Sequence, residues 1–163
     1  ARIMADFESE VKYMAAPPER VYAKLSDLNN LGVIQDMAHN PLAQQAVRQQ
    51  AGDKLDDAKM EQIIKAVDAM RFDADSVTVD AGIAGTLTLR VVNREDDRTI
   101  KFAVDGAPMP ANLWIQLLPV SSGGSKMKVT LRAELNFLMK QMLKGKLSEG
   151  IDKVATVLAS LPY

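Results

Sequence analysis

Residues able to do chemistry are few and scattered in this chain. Among its 163 residues there is one histidine, His39, and no cysteine. Without thiols there are no disulfides, no thiol nucleophile and no thiolate metal site. A base or metal-ligand role for His39 would draw on Asp36, but one imidazole and one carboxylate make a poor metal site. Its place beside Asn40-Pro41, a helix start, suits a surface or capping residue better. Carboxylates are paired at Asp56-Asp57 and Asp96-Asp97. Acid–base catalysis wants carboxyls with perturbed pKa in a cleft. These pairs fall at a helix start and a tight turn, where solvated aspartates belong. No G-x-S-x-G, P-loop, G-x-G-x-x-G or H-E-x-x-H pattern occurs. Gly82, Gly85 and Ser121-Ser122-Gly123-Gly124 read as turns. The sequence therefore predicts no catalytic residue, no metal and no cofactor.

What could hold a ligand is apolar, and periodicity places it. Phe7 to Tyr13 alternates as a half-buried strand, with Phe7, Ser9, Val11 and Tyr13 on one face. Pro17-Pro18-Glu19 opens a helix that turns Val21, Leu25 and Leu28 to one side. Residues 29–70 form a helical excursion, with one helix from Asn40-Pro41 to Gly52 and a second after Asp56-Asp57. The second carries an apolar stripe, Met60, Ile63, Ile64, Val67 and Met70. From Arg71 the period becomes two, and short connections make the strands antiparallel hairpins. Lys126 to Asn136 alternates most cleanly, with Met127, Val129, Leu131, Ala133 and Leu135 inward. A long amphipathic helix follows from about Phe137 to Leu161; it must bury its stripe, and a one-sided sheet needs a cover.

Composition is that of a globular domain, 47% hydrophobic and 25% charged, and the length suits one domain over 1-163. The formal net charge of -1, with no block of Lys and Arg, argues against a nucleic-acid partner. No stretch reaches the ~20 apolar residues of a membrane span, and no signal-peptide core follows the N-terminus. A cytoplasmic location without stable membrane insertion is expected.

The element order, and above all the run Val11-Lys12-Tyr13-Met14-Ala15-Ala16-Pro17-Pro18-Glu19-Arg20-Val21-Tyr22-Ala23-Lys24-Leu25-Ser26-Asp27-Leu28, resembles the SRPBCC superfamily. That group includes START lipid-transfer domains, polyketide cyclases and plant pollen allergens. The resemblance implies an α+β helix-grip fold. A curved antiparallel sheet of about six strands would wrap the C-terminal helix, with the excursion between the first and second strands. It also implies a cavity for a hydrophobic small molecule, lipid, sterol-like or polyketide-like, between sheet and helix.

The inward positions expected to wall that cavity are Val11, Tyr13, Leu89, Val91, Phe102, Ile115, Leu131, Ala133, Met139 and Met142. Leu113, Ile115 and Leu117 are read as facing in; a reversed register would bring Trp114 and Gln116 to the cavity. The methionines suit either a plastic ligand wall or ordinary core filling. Three readings stand: a noncatalytic binder or carrier, a cyclase or aromatase-type enzyme, and a protein-interaction module with a filled core. Within the helix, Met139–Leu147 is the half expected to touch ligand, and Ile151–Leu161 the half expected to pack.

Overall fold

The computed structural model of the chain describes residues 2–80 and 85–163. The Asp80-Ala81-Gly82 turn expected from the sequence lies largely outside them. Among the described residues one eight-stranded antiparallel sheet is formed by β1 (Arg2–Glu8), β2 (Lys12–Met14), β3 (Arg71–Phe72), β4 (Ser76–Asp80), β5 (Thr86–Glu95), β6 (Thr99–Asp105), β7 (Ala111–Pro119) and β8 (Ser125–Asn136). The order is β1-β8-β7-β6-β5-β4-β3, with β2 also on β8. The helices are α1 (Pro18–Leu25), α2 (Val33–Met37), α3 (Pro41–Ala51), α4 (Asp57–Asp68) and α5 (Phe137–Ala159). The helix-grip architecture is the expected one.

Two details differ. The predicted first strand is two strands, so the excursion falls between the second and third. The cause is a bulge at Ser9. The Ser9 N–H donates to the Val129 carbonyl at 2.8 Å, and the Ser9 hydroxyl accepts from the Val129 N–H at 2.9 Å. Glu8 still pairs with Thr130, but Lys12 pairs with Met127, so β1–β2 carries one residue too many. One extra residue reverses every later side chain. Lys12 and Met14 therefore point in, 4% and 8% exposed, and Val11 and Tyr13 point out, 44% and 62% exposed. The short strand β3, paired with β4, accounts for the rest of the higher strand count.

Local signals start the helices as expected. Pro18 occupies the first turn of α1; Asn40 caps α3 by accepting from the Leu42 N–H, and Asp56 caps α4 by accepting from the Lys59 N–H. α5 follows β8 directly, and its cap Asn136 accepts from the Met139 N–H. It runs back along β8, β1 and β2 and against α3. Its second half is buried through Ile151, Ala155, Thr156, Leu158 and Ala159, and Leu161 beyond it is buried too. This is the packing half that the sequence indicates, though the small residues Ala155 and Ala159 lie deeper than Val154 in the expected stripe.

Tyr163 closes this end. Its hydroxyl donates to the Leu158 carbonyl at 2.5 Å, and burial pushes its phenol pKa up. A raised folded-state pKa gives stability that is complete below the unfolded value, near ~10, and lost as pH rises through the folded one. Burial, with Asp96 beside it, raises the Tyr22 phenol as well. We expect an alkaline titration followed by phenolate absorbance to show late ionisation of both tyrosines, coinciding with unfolding. Tyr163→Phe should remove one of the two from the late step; a late step of unchanged amplitude would contradict the assignment.

Candidate functional site

Strand register assembles an apolar inner face. Phe7, Leu131, Leu113, Phe102 and Val91 lie side by side across five strands. Val77, Leu89 and Val104 form a second row, and Val79 faces Leu87. The face is not evenly covered. Phe102, Leu113, Ile115 and Val129 are sealed beneath α1 and the second half of α5, in one core cluster. Leu87, Leu89, Val91, Val104 and Leu131 are only half-buried. A smaller cluster of Ala5, Phe7, Ala133 and Leu135 carries Met109 from the β6–β7 connection and, from the first half of α5, Met139 and Leu147. Because α5 lies chiefly along β8, β1 and β2, the β4–β6 end of the inner face has less cover.

The expected wall residues divide accordingly. Phe102, Ile115 and Ala133 are buried on the inner face; Leu89, Val91, Leu131 and Met139 are half-buried beside them. Val11 and Tyr13 lie on the opposite side, as the bulge requires. Met142 is 69% exposed, because it lies on the outer side of α5, whose Met139 and Leu147 pack on the Ala5–Phe7 cluster. Trp114 occupies the outer face, between Lys101 at 5.1 Å and Arg132 at 5.4 Å from its ring. Leu113, Ile115 and Leu117 are the inward set, so the reversed register is excluded. Leu87 and Val104 belong to the half-buried strip although sequence reasoning did not single them out. Their alternation with Thr88 and Ala103 was the available signal.

The candidate acid–base groups do not converge. His39 Nε2 meets both oxygens of Asp68 at 2.9 Å, tying the turn before α3 to the end of α4 at the surface. Tyr13, Gln116, Arg90 and Arg132 are all exposed. Arg90 holds the Asp105 carboxyl below its usual range, and Arg132 does the same to Asp6, chiefly by hydrogen bonding. Asp56 serves as a cap, Asp97 takes a positive φ of 63° in a turn, and Asp96 accepts from the Tyr22 hydroxyl at 3.4 Å.

A charged cavity of about 350 Å³ opens elsewhere, between β1, the α3–α4 connection and α5. Leu55 and Ile63 contribute apolar wall, and the charges around them are internally matched. Lys54 pairs with Glu10, Lys59 and Lys153 with Glu149, and Lys128 with Glu8. Asp152 receives the buried Lys12 Nζ at 3.2 Å and the Glu10 N–H at 2.9 Å. With its charges committed to one another, this cavity offers no unpaired charge, among the described residues, to fix a ligand. A narrow crevice of about 30 Å³ between α2, α3 and α4 is lined by Ile34, Met37, Val47 and Ile63. It has room for about one water molecule.

No family model matches the chain, and no curated protein matches it. Solved structures do. Norcoclaurine synthase from Thalictrum flavum, in complex with dopamine and hydroxybenzaldehyde, is 9% identical, with 97% of this chain and 86% of that one covered, at a TM-score of 0.63. A Rhizobium loti protein is 13% identical over 99% of each chain, with a TM-score of 0.56. A START superfamily protein from Mycobacterium smegmatis is 13% identical, covering 97% of this chain and 94% of that one, with a TM-score of 0.50. At these identities the likeness speaks for fold, and the sheet order, the excursion and α5 agree with it. By fold, the chain is a helix-grip protein, similar in architecture to norcoclaurine synthase and to a START superfamily protein.

Proposed function

We propose that this chain binds and carries a hydrophobic small molecule, without transforming it, on the inner face of the sheet beside the first half of α5. One observation carries the reading. Leu87, Leu89, Val91 and Val104 are neighbours by register on β5 and β6, wholly apolar and only half-buried, and Leu131, likewise half-buried three strands from Val91, packs with Met139 of α5 against the Ala5–Phe7 cluster. Apolar area left wet forfeits roughly 25 cal/mol per Å², so a ligand that covers this strip gains what folding left ungained. Few polar anchors and no converging acid–base pair suit retention better than catalysis. The aromatic ligands of norcoclaurine synthase show that this fold accommodates small cyclic molecules, which supports the reading by analogy. The cytoplasm is the compartment we assign, since a chain without cysteine fits a reducing environment.

The test combines native mass spectrometry of freshly purified protein with a panel of apolar fluorophores. Wild type should retain or take up a small apolar ligand in the micromolar range. Leu89→Lys, which places a charge in the strip, should weaken uptake by at least about tenfold, since a buried unpaired charge costs more than 1.4 kcal/mol. No bound species, and no fluorophore uptake sensitive to Leu89→Lys, would sink the proposal.

A further inference from the structure

α5 leaves the outer side of its first turns uncovered, while Met139 packs on the sheet. Phe137, Leu138 and Met142 are 69%, 67% and 69% exposed. At 100° per residue they share one arc of roughly 140°. On the same geometry Lys140 and Lys144 flank one side of that arc and Lys146 the other. From Phe137 to Ser148 there is no Asp or Glu. The strand register sets Arg2 opposite Asn136, the residue before Phe137, so Ile3 and Met4, 40% and 57% exposed, join the same end of the molecule. Among the described residues, Arg2, Lys140, Lys144 and Lys146 take part in no ion pair.

We infer that this end of the chain, the first three turns of α5 with the start of β1, docks on the surface of an anionic lipid bilayer. An apolar cap ringed by lysines matches the layering of such a surface. The ring and methyl groups of Phe137, Leu138 and Met142 reach the headgroup–acyl boundary, and the ammonium groups meet lipid phosphates. Charge decides against a second copy as the occupant. A symmetric contact through this patch would press Arg2 and three unpaired lysines against their own duplicates. The net charge of -1 for the whole chain is no obstacle, because attraction to the surface decays within a Debye length and is set by the local patch. The contact is peripheral: among the described residues no helix is long and apolar enough to cross a membrane. This inference goes beyond ligand carriage and does not depend on it, since it is read from vesicle binding alone.

The experiment is co-sedimentation of the full chain with vesicles of phosphatidylcholine, and of phosphatidylcholine and phosphatidylglycerol in equal amounts. We expect binding to the mixed vesicles, little to the neutral ones, and release by added salt. Each lysine should contribute about fivefold, so K140Q, K144Q and K146Q together should weaken binding on the order of 100-fold. L138S tests the apolar component separately and should weaken binding to mixed vesicles at constant salt. All four positions are wholly or partly exposed, and unchanged thermal unfolding confirms that the variants fold. The proposal is overturned by failure to bind mixed vesicles, by binding indifferent to salt and to the lysine substitutions, or by gel filtration showing that the patch is covered in a dimer.

Discussion

Asp152→Ala is expected to destabilise the fold by about 3 kcal/mol or more, whereas Lys12→Met with Asp152→Ala together should recover much of that loss. Lys12 is 4% exposed, and its ammonium sits 3.2 Å from one Asp152 oxygen and 3.3 Å from the other. The same carboxylate accepts the Glu10 N–H at 2.9 Å, just where the bulge leaves that backbone group outside the ladder. Alanine at 152 strands a buried ammonium and takes the protein acceptor from an exposed bulge amide. Removing one partner of a buried pair costs about 3–5 kcal/mol, and the Asp152 side chain, 21% exposed, puts this pair near the lower end. The apolar double variant removes the stranded charge as well, and replacing a buried pair by apolar groups is often close to neutral. Denaturant unfolding of the two single variants and the double gives the coupling directly. If Asp152→Ala were within about 0.5 kcal/mol of wild type, the pair would be a surface contact worth little, as exposed ion pairs are.

This pair shows where sequence reading stops. β8 was legible because both of its faces have a fixed job: Met127, Val129 and Leu135 are at most 1% exposed, and Lys128 and Arg132 lie on the other side. The helices were legible because Asn40, Asp56 and Pro18 announce them locally. The Ser9 bulge announces nothing. Phe7-Glu8-Ser9-Glu10-Val11-Lys12-Tyr13 alternates without a break, so it predicts Lys12 outside. Only the hydrogen bonds of Ser9 with Val129, 120 residues away, shift the register. That one residue displaces Val11 and Tyr13 from the expected wall and brings in Lys12. The stripe on α5 misled differently. Its periodicity identifies an apolar side of the helix but not how wide an arc the sheet covers. Met139 and Leu147 pack on the Ala5–Phe7 cluster, and Met142, at the edge of the stripe, emerges into solvent. Trp114 was decided by its neighbours: Leu113 and Ile115 claim the core, and the indole is left between two cations outside.

Gly124 marks the second position where a small change should have a large effect. Sequence reading treats it as one of two turn glycines before β8, and the neighbouring Gly123, with φ of 93°, is indeed there for its backbone. Gly124 is there for space. A Cβ at 124 would stand 2.3 Å from the Met14 carbonyl oxygen, 3.3 Å from that of Ala15 and 3.4 Å from the Ala15 Cα. All three are backbone atoms of the segment joining β2 to α1, so no side-chain rotation can relieve the clash. That segment is held from both sides. Met14 pairs with Ser125, whose buried hydroxyl donates to the Ala16 carbonyl at 2.6 Å. Pro17 and Pro18 then fix the entry to α1. To admit one methyl group, β2 must move off β8, and the buried Met14 and Lys12 must move with it. Overpacking commonly costs about 1–3 kcal/mol, and a backbone-on-backbone clash belongs at or above the top of that range. Gly124→Ala should therefore lose at least about 3 kcal/mol in denaturant unfolding. Gly123→Ala, strained by its positive φ but in open space, should lose about 1–2 kcal/mol. Equal costs at the two positions would mean that conformation, not close approach, explains Gly124. The difference between the variants thus measures how firmly the β2–α1 segment is clamped against β8, the same clamp that keeps Lys12 buried.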